Sequence, residues 1–482
     1  NQMARKNPST DKEQELNELI ASYETAKAEN RQLYLDGDQL ADIADKYATD
    51  RRFDEAQEVI SYGLELHPGH TDLLIEQALY LDTMQLQKAI AVVGSIAEDY
   101  DPEVKLLKAE ILLNEGKLDE AETLLNSIEE EKSLETIIDV AYLYMDMGYP
   151  EKALPWLTLG LEEYKENEEF LAAMADCYRS GERNTKAISF YNKLIDKNPY
   201  NPSYWTGLAK CHFSQQEFDK AVEACDFALA ADDKFGEAHI IRAHSLFHLE
   251  NETEAIQEYQ LALQSKSLPP DFAHMFIGLA YANQEKWELA YRSYEQAMKI
   301  IGDDNSPILS DIYSNEIFCL SKLGRYEEAH QLCEKAKKQL PESVEIYLQE
   351  GRLYLEEDKF EEAKQCWAVA LQYAPEAETL VQIGNYSLDY GMVENARLCF
   401  EEAKKQDPDY PGINGRLASI CMILRDHKGF QKYNQMSETP LNIEMIQEML
   451  SQNTDKDILQ NLETFMNELD DVNDGETEEE NN

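Results

Sequence analysis

The 482-residue sequence lacks the features that mark membrane, metal and redox proteins. It has no run of about 18 apolar residues that could cross a bilayer, and its polar start, residues 1–12, contains no apolar stretch typical of a leader peptide. None of its eight cysteines belongs to a Cys-x-x-Cys pair. These absences favour a cytoplasmic protein, without membrane insertion and without a metal or redox motif.

Basic residues are scarce. The sequence has 44 Lys and Arg against 95 Asp and Glu, which gives a formal net charge of -51. An excess of this size repels phosphate, so nucleic acid and anionic membrane surfaces are excluded as expected partners. Two roles for the charge stay open: it keeps a long, apolar-cored molecule in solution, or it attracts a basic partner.

Motifs for catalysis are also missing. The sequence has no phosphate-binding glycine loop, no Gly-x-Ser-x-Gly and no His-Glu-x-x-His. His244 and His248 have the i,i+4 spacing of a metal-binding pair but no evident third ligand. Residues 470–480 fail as a calcium loop, since Val472 stands where a ligand is needed. No catalytic residue, cofactor or metal site is predicted, and the chain is not expected to be an enzyme.

Alanines recur along the chain at near-constant intervals of 32 to 35 residues, with one interval of 39. They are Ala56, Ala89, Ala121, Ala153, Ala187, Ala221, Ala255, Ala290, Ala329, Ala363 and Ala396. A unit of about 34 residues is typical of stacked helix pairs, in which each repeat buries its apolar face against its neighbours. We number the repeats one to eleven by these anchor alanines. The five extra residues before Ala329 are placed in residues 301–307, where loop formers cluster.

Each repeat contains two amphipathic segments, helix A and helix B, with apolar residues three and four apart. Helix A of several repeats carries an aromatic residue followed four residues later by a small one, as in Tyr347 and Gly351. Helix B carries an aromatic after the anchor, such as Trp367, and a proline often closes the repeat. Between the two helices, a glycine is expected in the left-handed conformation. The glycines at this position are Gly116, Gly148, Gly324 and Gly391.

This pattern resembles the tetratricopeptide repeat family over about residues 37–410. The resemblance implies an all-α fold: a right-handed superhelical solenoid of antiparallel helix pairs, with about eleven repeats and helical caps. The expected organisation is an N-terminal tail and capping helix at 1–36, the solenoid at 37–410, a degenerate terminal repeat at 411–436, amphipathic helices at 437–469, and a disordered acidic tail at 470–482.

The resemblance also implies that helix A lines the inner groove and that the groove binds a ligand. In the first five repeats the corresponding positions form an acidic face: Asp38, Asp42, Asp45, Glu110, Asp139 and Asp176. In repeats seven to nine they form an apolar face, predicted to bind the partner. This apolar face comprises Ile240, Ile241, His244, Phe247, His248, Phe272, Met275, Phe276, Leu279, Asn315 and Phe318.

The predicted function is a non-enzymatic scaffold or adaptor that binds a protein or an extended peptide, basic and with apolar anchors. A regulatory subunit of a bound enzyme and a self-assembling homodimer are the alternatives. The apolar face also has two alternatives to ligand binding. Either tight winding buries these side chains, or a C-terminal helix covers them with a ridge of Leu459, Leu462, Phe465 and Met466.

Overall fold

The computed structural model describes residues 10–29, 34–50, 52–82, 86–96, 102–128, 133–302 and 306–441. These ranges contain 25 α-helices and no β-strand. The chain divides into an N-terminal body, Asn1–Ser245, and a C-terminal body, Leu246–Asn482, with the division inside one helix. None of the described helices is long and apolar enough to cross a membrane. The predictions for residues 1–9 and for the helices and tail beyond residue 441 lie outside the described ranges.

The helices follow one another with short connections. Those of the N-terminal body are α1 Thr10–Ala28, α2 Gly37–Thr49, α3 Phe53–Leu66, α4 Thr71–Asp82, α5 Leu86–Ser95, α6 Pro102–Asn114, α7 Leu118–Asn126, α8 Leu134–Asp146, α9 Pro150–Gly160, α10 Glu168–Ser180, α11 Asn184–Lys197, α12 Pro202–Ser214 and α13 Phe218–Ala231. The division falls within α14, Gly236–His248. Those of the C-terminal body are α15 Glu252–Gln264, α16 Pro270–Asn283, α17 Trp287–Ile301, α18 Leu309–Lys322, α19 Tyr326–Gln339, α20 Val344–Glu356, α21 Phe360–Tyr373, α22 Ala377–Asp389, α23 Val393–Gln406, α24 Ile413–Ile423 and α25 His427–Gln435.

The anchor alanines lie in the second helix of each pair. Helix A of repeats one to eleven is therefore an even-numbered helix, α2 to α22, and helix B is the next odd-numbered one. Ala89 lies in α5, and each of the other ten anchors is at most 1% exposed. Only a small side chain fits where two helices approach this closely. The predicted all-helical repeat fold is confirmed.

The turn between helix A and helix B has the same left-handed backbone conformation in many repeats, although the residue at that position varies. The four predicted glycines have φ between +71° and +81°. Six other residues, also five before an anchor or its equivalent Phe430, have φ between +56° and +61°. They are Glu182, Gln216, Glu250, Glu285, Asp358 and Arg425. Five repeats and the terminal helix pair therefore keep this turn although a non-glycine residue is strained in the left-handed conformation.

Where helix A and helix B of one repeat face each other, a large side chain on one helix is paired with a small one on the other. In repeat ten, a Cβ built on Gly351 would lie 2.2 Å from the Trp367 ring, so the glycine is required by that indole. Repeat nine has Ile317 and Cys333 at the two equivalent positions, both buried. The large and small side chains have exchanged helices, which preserves the packing density.

The ends of the repeat array carry additional helices. Helix α1 buries Tyr23 and Ala26, and Tyr23 belongs to a core cluster that includes Leu40 and Ile43 of α2. At the other end, α24 and α25 form the predicted degenerate pair, and Phe430 replaces the anchor alanine at 5% exposure. The predicted long connection lies between Ile301, where α17 ends, and Leu309, where α18 begins.

Candidate functional site: the helix A faces

The acidic face belongs to the N-terminal body. Asp38 and Asp42 are exposed on α2, where Asp45 is half-buried. Glu110 of α6 and Asp139 of α8 are half-buried as well. These residues recur at helix A positions because each repeat presents the same face of its first helix. The structure places three of them on α2, one on α6 and one on α8.

Asp176 of α10 is enclosed by hydrogen bonds. Tyr142 of α8 donates to one carboxylate oxygen at 3.0 Å, and Tyr191 of α11 donates to the other at 2.6 Å. The Arg179 guanidinium lies 3.3 Å from the oxygen that Tyr191 contacts. Burial raises the pKa of both tyrosines, and the adjacent carboxylate adds to each shift. Asp176 therefore links three helices of the N-terminal body, α8, α10 and α11.

Sequence inspection missed one cluster of potential metal ligands. Asp38, His70 and Asp72 each place a ligand atom within 4.8 Å of the other two, and His70 Nε2 lies 3.2 Å from Asp38. The two carboxylates are exposed, and the His70 ring packs against Gly37. The sequence contained one signal for this cluster. Asp38 and His70 are 32 residues apart, at the starts of neighbouring A helices. Exposed acidic groups of this kind are common without an ion.

The apolar face begins in α14 of the N-terminal body. Ile240 and Ile241 are half-buried, and Ile241 packs against the core cluster formed by α10 to α13. The His244 ring lies 6.3 Å from the ring of Phe213, centroid to centroid. Among the described residues, no group of three potential metal ligands includes His244. The ring belongs to an aromatic contact.

In the C-terminal body, α16 contributes most of the apolar face. Phe272 and Leu279 are half-buried, whereas Met275 is only 7% exposed and belongs to the core. The Phe276 ring stacks on Tyr259 of α15, with centroids 5.3 Å apart and planes at 14°. Phe247 and the exposed His248 pack edge to face at 6.1 Å. Part of the predicted binding surface is thus used for packing between neighbouring helices.

Phe318 of α18 is covered by a cation. The guanidinium carbon of Arg352 lies 4.0 Å from the centroid of the Phe318 ring, and Trp287 packs edge to face on the same ring at 5.4 Å. Arg352 also lies 5.6 Å from the Tyr386 ring. Asn315 donates to the Asp311 carbonyl of its own helix at 2.8 Å. A ligand that reached this face of the Phe318 ring would compete with Arg352.

Polar contacts continue beside Arg352 on the A helices. The Lys322 ammonium lies 2.9 Å from the Glu356 carboxylate, and the Tyr390 hydroxyl donates to the same carboxylate. Burial opposes ionisation of Glu356, but the bonds from Lys322 and Tyr390 prevail and lower its pKa. Basic and aromatic side chains therefore share this face in the C-terminal body, in contrast to the acidic face of the other body.

Comparison with known proteins agrees with this architecture. Tetratricopeptide repeat models match residues 173–199, 203–271, 273–308 and 320–382. These four segments of the chain are tetratricopeptide repeats. Proteins built on this scaffold generally mediate protein–protein interaction and are generally non-enzymatic.

Individual relatives are distant. The chain is similar to anaphase-promoting complex subunit 7 of Dictyostelium discoideum, at 23% identity over 250 residues, covering 51% of this chain and 41% of that protein. It is also similar to the TPR repeat-containing protein YpiA of Bacillus subtilis (strain 168), at 23% identity over 464 residues, covering 86% of this chain and 98% of that protein. Among solved structures, yeast Tom70 matches with a TM-score of 0.44 and 14% identity, covering 89% and 95% of the two chains. The chain thus spans less than half the length of the Dictyostelium relative.

Proposed function

We propose that this protein is a non-enzymatic scaffold that binds a basic segment of a protein partner on its acidic face. One observation carries the proposal. In repeats one to five, the A helices carry fourteen acidic and four basic residues, whereas the B helices of the same repeats carry nine and five. The excess of negative charge is thus concentrated on the helices that present the acidic face. If it served solubility alone, it would not need to favour one helix of each pair.

The half-buried side chains of α16 are proposed to supply apolar anchors for the partner. Phe272 and Phe276 lie 6.5 Å apart, centroid to centroid, and neither is fully buried. Aromatic side chains of this kind are enriched at the centres of protein interfaces. The partner class is therefore a protein that presents a basic segment for the acidic face and at least one large apolar side chain for α16.

Selection from a randomised peptide library displayed on phage tests the proposal with the intact chain as bait. We expect bound peptides to be enriched in Lys, Arg and large apolar residues, and their association to slow as salt is raised. The double variant Asp38→Lys, Asp42→Lys should lose the basic enrichment. The matched control, Asp54→Lys with Glu65→Lys, changes the same charge on the exposed surface of α3 and should retain it.

Two results would overturn this assignment. Peptides without basic enrichment would remove the role of the acidic face, and equal loss in both double variants would reduce that role to net charge. The variant Phe272→Asp separately tests the apolar anchors, since it should remove the apolar enrichment and leave the basic one.

A further inference from the structure

Two lysines converge on one aromatic ring at the C-terminal end of the described structure. Lys404 of α23 and Lys432 of α25 place their Nζ atoms 4.8 Å and 5.1 Å from the centroid of Tyr433. We call Lys404 and Lys432 the terminal lysine pair. Burial, followed by the charge of Lys432, lowers the pKa of Lys404. The two like charges are therefore close enough to repel each other.

Neither lysine forms an ion pair with a carboxylate among the described residues. Lys404 hydrogen-bonds the Asn414 side-chain oxygen, and its Nζ lies 3.8 Å from the sulfur of Met436. The nearby carboxylates are already engaged by Arg397, which lies 2.9 Å from Glu401 and 3.5 Å from Asp426. In the described part of the chain, this pair of cations has no carboxylate partner, although the net charge of the whole sequence is -51. The site has the charge to accept an anionic ligand.

The segment around Lys432 has a net positive charge, unlike the chain as a whole. Residues 411–436 contain four basic residues and one acidic residue, whereas residues 442–482 contain thirteen acidic residues and one lysine. Asn434, next to Tyr433 in sequence, holds the backbone of Leu441 with two hydrogen bonds of 2.7 Å and 3.0 Å. The acidic stretch of the chain therefore starts from a point tied to the helix that carries Lys432.

We propose that residues 468–480, which contain eight acidic residues and no basic one, bind the terminal lysine pair of the same chain. Residue 468 follows Leu441 by 27 residues in the sequence. A segment joined to its own binding site binds it intramolecularly, which raises its effective concentration above that of a free ligand. A free acidic partner at micromolar concentration would have to displace this internal ligand.

Zero-length carbodiimide cross-linking of the full chain tests the proposal, because it joins lysines only to carboxylates that touch them. Peptide mass spectrometry should find residues 468–480 linked to the terminal lysine pair at least several-fold more often than to Lys405. Lys405 is a suitable control, since it lies on α23, is 77% exposed and pairs with Glu402. Raising the salt to about 0.5 M should reduce the linkage.

A second measurement uses the lysines without cross-linking. In a variant whose eight acidic residues at 468–480 are replaced by Asn and Gln, acetylation of Lys432 should become several-fold faster, with that of Lys405 unchanged. Equal acetylation of Lys432 in both chains would overturn the proposal. Links found mainly between 14N-labelled and 15N-labelled chains in a mixture would also overturn it, because they would show binding to a second copy.

Discussion

Repeats nine and ten bury the same acidic side chain in opposite ways. Glu316 of α18 and Glu350 of α20 both stand thirteen residues before their anchors, and each is 4% exposed. The Lys337 ammonium lies 2.9 Å and 3.1 Å from the two carboxylate oxygens of Glu350, and the Cys366 thiol contacts one of them at 3.4 Å. Among the described residues, Glu316 has no hydrogen bond or ion pair with any side chain.

The difference originates in the preceding repeat. Lys337 lies eight residues after the anchor Ala329, and the equivalent position after Ala290 is Met298. Burial, with the nearby Glu295 carboxylate, raises the pKa of Glu316 to about 8. Burial also opposes the charge of Lys337, but its bonds to Glu334 and Glu350 raise its pKa. One residue on the neighbouring helix B therefore decides whether a buried glutamate is an ion-pair partner or a neutral acid.

Removing the partner of Glu350 should have the largest effect. Lys337→Met leaves a buried carboxyl without its cation, which costs about 3–5 kcal/mol when the carboxyl is forced to ionise. Hydrogen exchange of peptides from α20 at pH 8.5 should report this loss. The exposed neighbour Lys338 gives the control Lys338→Met, and equal protection in the two variants would contradict the ion-pair assignment.

Glu316 should make stability fall as pH rises. The folded pKa of about 8 exceeds the ordinary value of 4.5, so between these values the folded state retains a proton that the unfolded state has released. Stability is then lost at up to about 1.4 kcal/mol per pH unit. Urea unfolding of the C-terminal body from pH 5 to 9 should show this slope. It should flatten in Glu316→Gln, and an unchanged slope would rule out Glu316 as its source.

Supplying the missing cation should convert repeat nine to the arrangement of repeat ten. Met298→Lys is expected to lower the pKa of Glu316 and to stabilise the C-terminal body above pH 8 by about 1–2 kcal/mol, the range for a hydrogen bond to a charged group less the cost of burying the lysine. The pH slope is the diagnostic measurement. Combining Met298→Lys with Glu316→Gln should abolish the gain, and a gain that persists would have another origin.

The turns of the two repeats should give the smallest effect. Repeat nine has Gly324 at its left-handed position, and repeat ten has Asp358 with φ of +59°. Nothing lies within 4 Å of a Cβ built on Gly324, so Gly324→Ala acts through the backbone alone and should cost about 1 kcal/mol. Asp358→Gly should gain less than about 1 kcal/mol. Thermal unfolding of both variants checks the opposite signs, and a common sign would refute the strain argument.

The sequence predicted the fold well because the fold depends on residues that are local and repeated. A buried alanine such as Ala363 and a left-handed glycine such as Gly324 are recognisable from spacing alone. The candidate site was predicted less completely. Sequence spacing placed Phe318 in helix A of repeat nine but could not reveal that Arg352, 34 residues later, covers its ring. Such contacts depend on side-chain conformations across two repeats, which no local pattern encodes.

In repeats nine and ten, the large and small side chains between helix A and helix B lie on opposite helices. This limits which segments of such an array can be recombined. Pairing α20 with α19 would leave a void between Gly351 and Cys333, and pairing α18 with α21 would force Ile317 against the indole of Trp367. Single helices are therefore not interchangeable parts. A whole repeat is not an independent part either. If repeat ten were transplanted without α19, it would carry the buried Glu350 but lose its partner Lys337. The smallest transplantable segment here runs from one helix B through the next complete pair, α19 to α21.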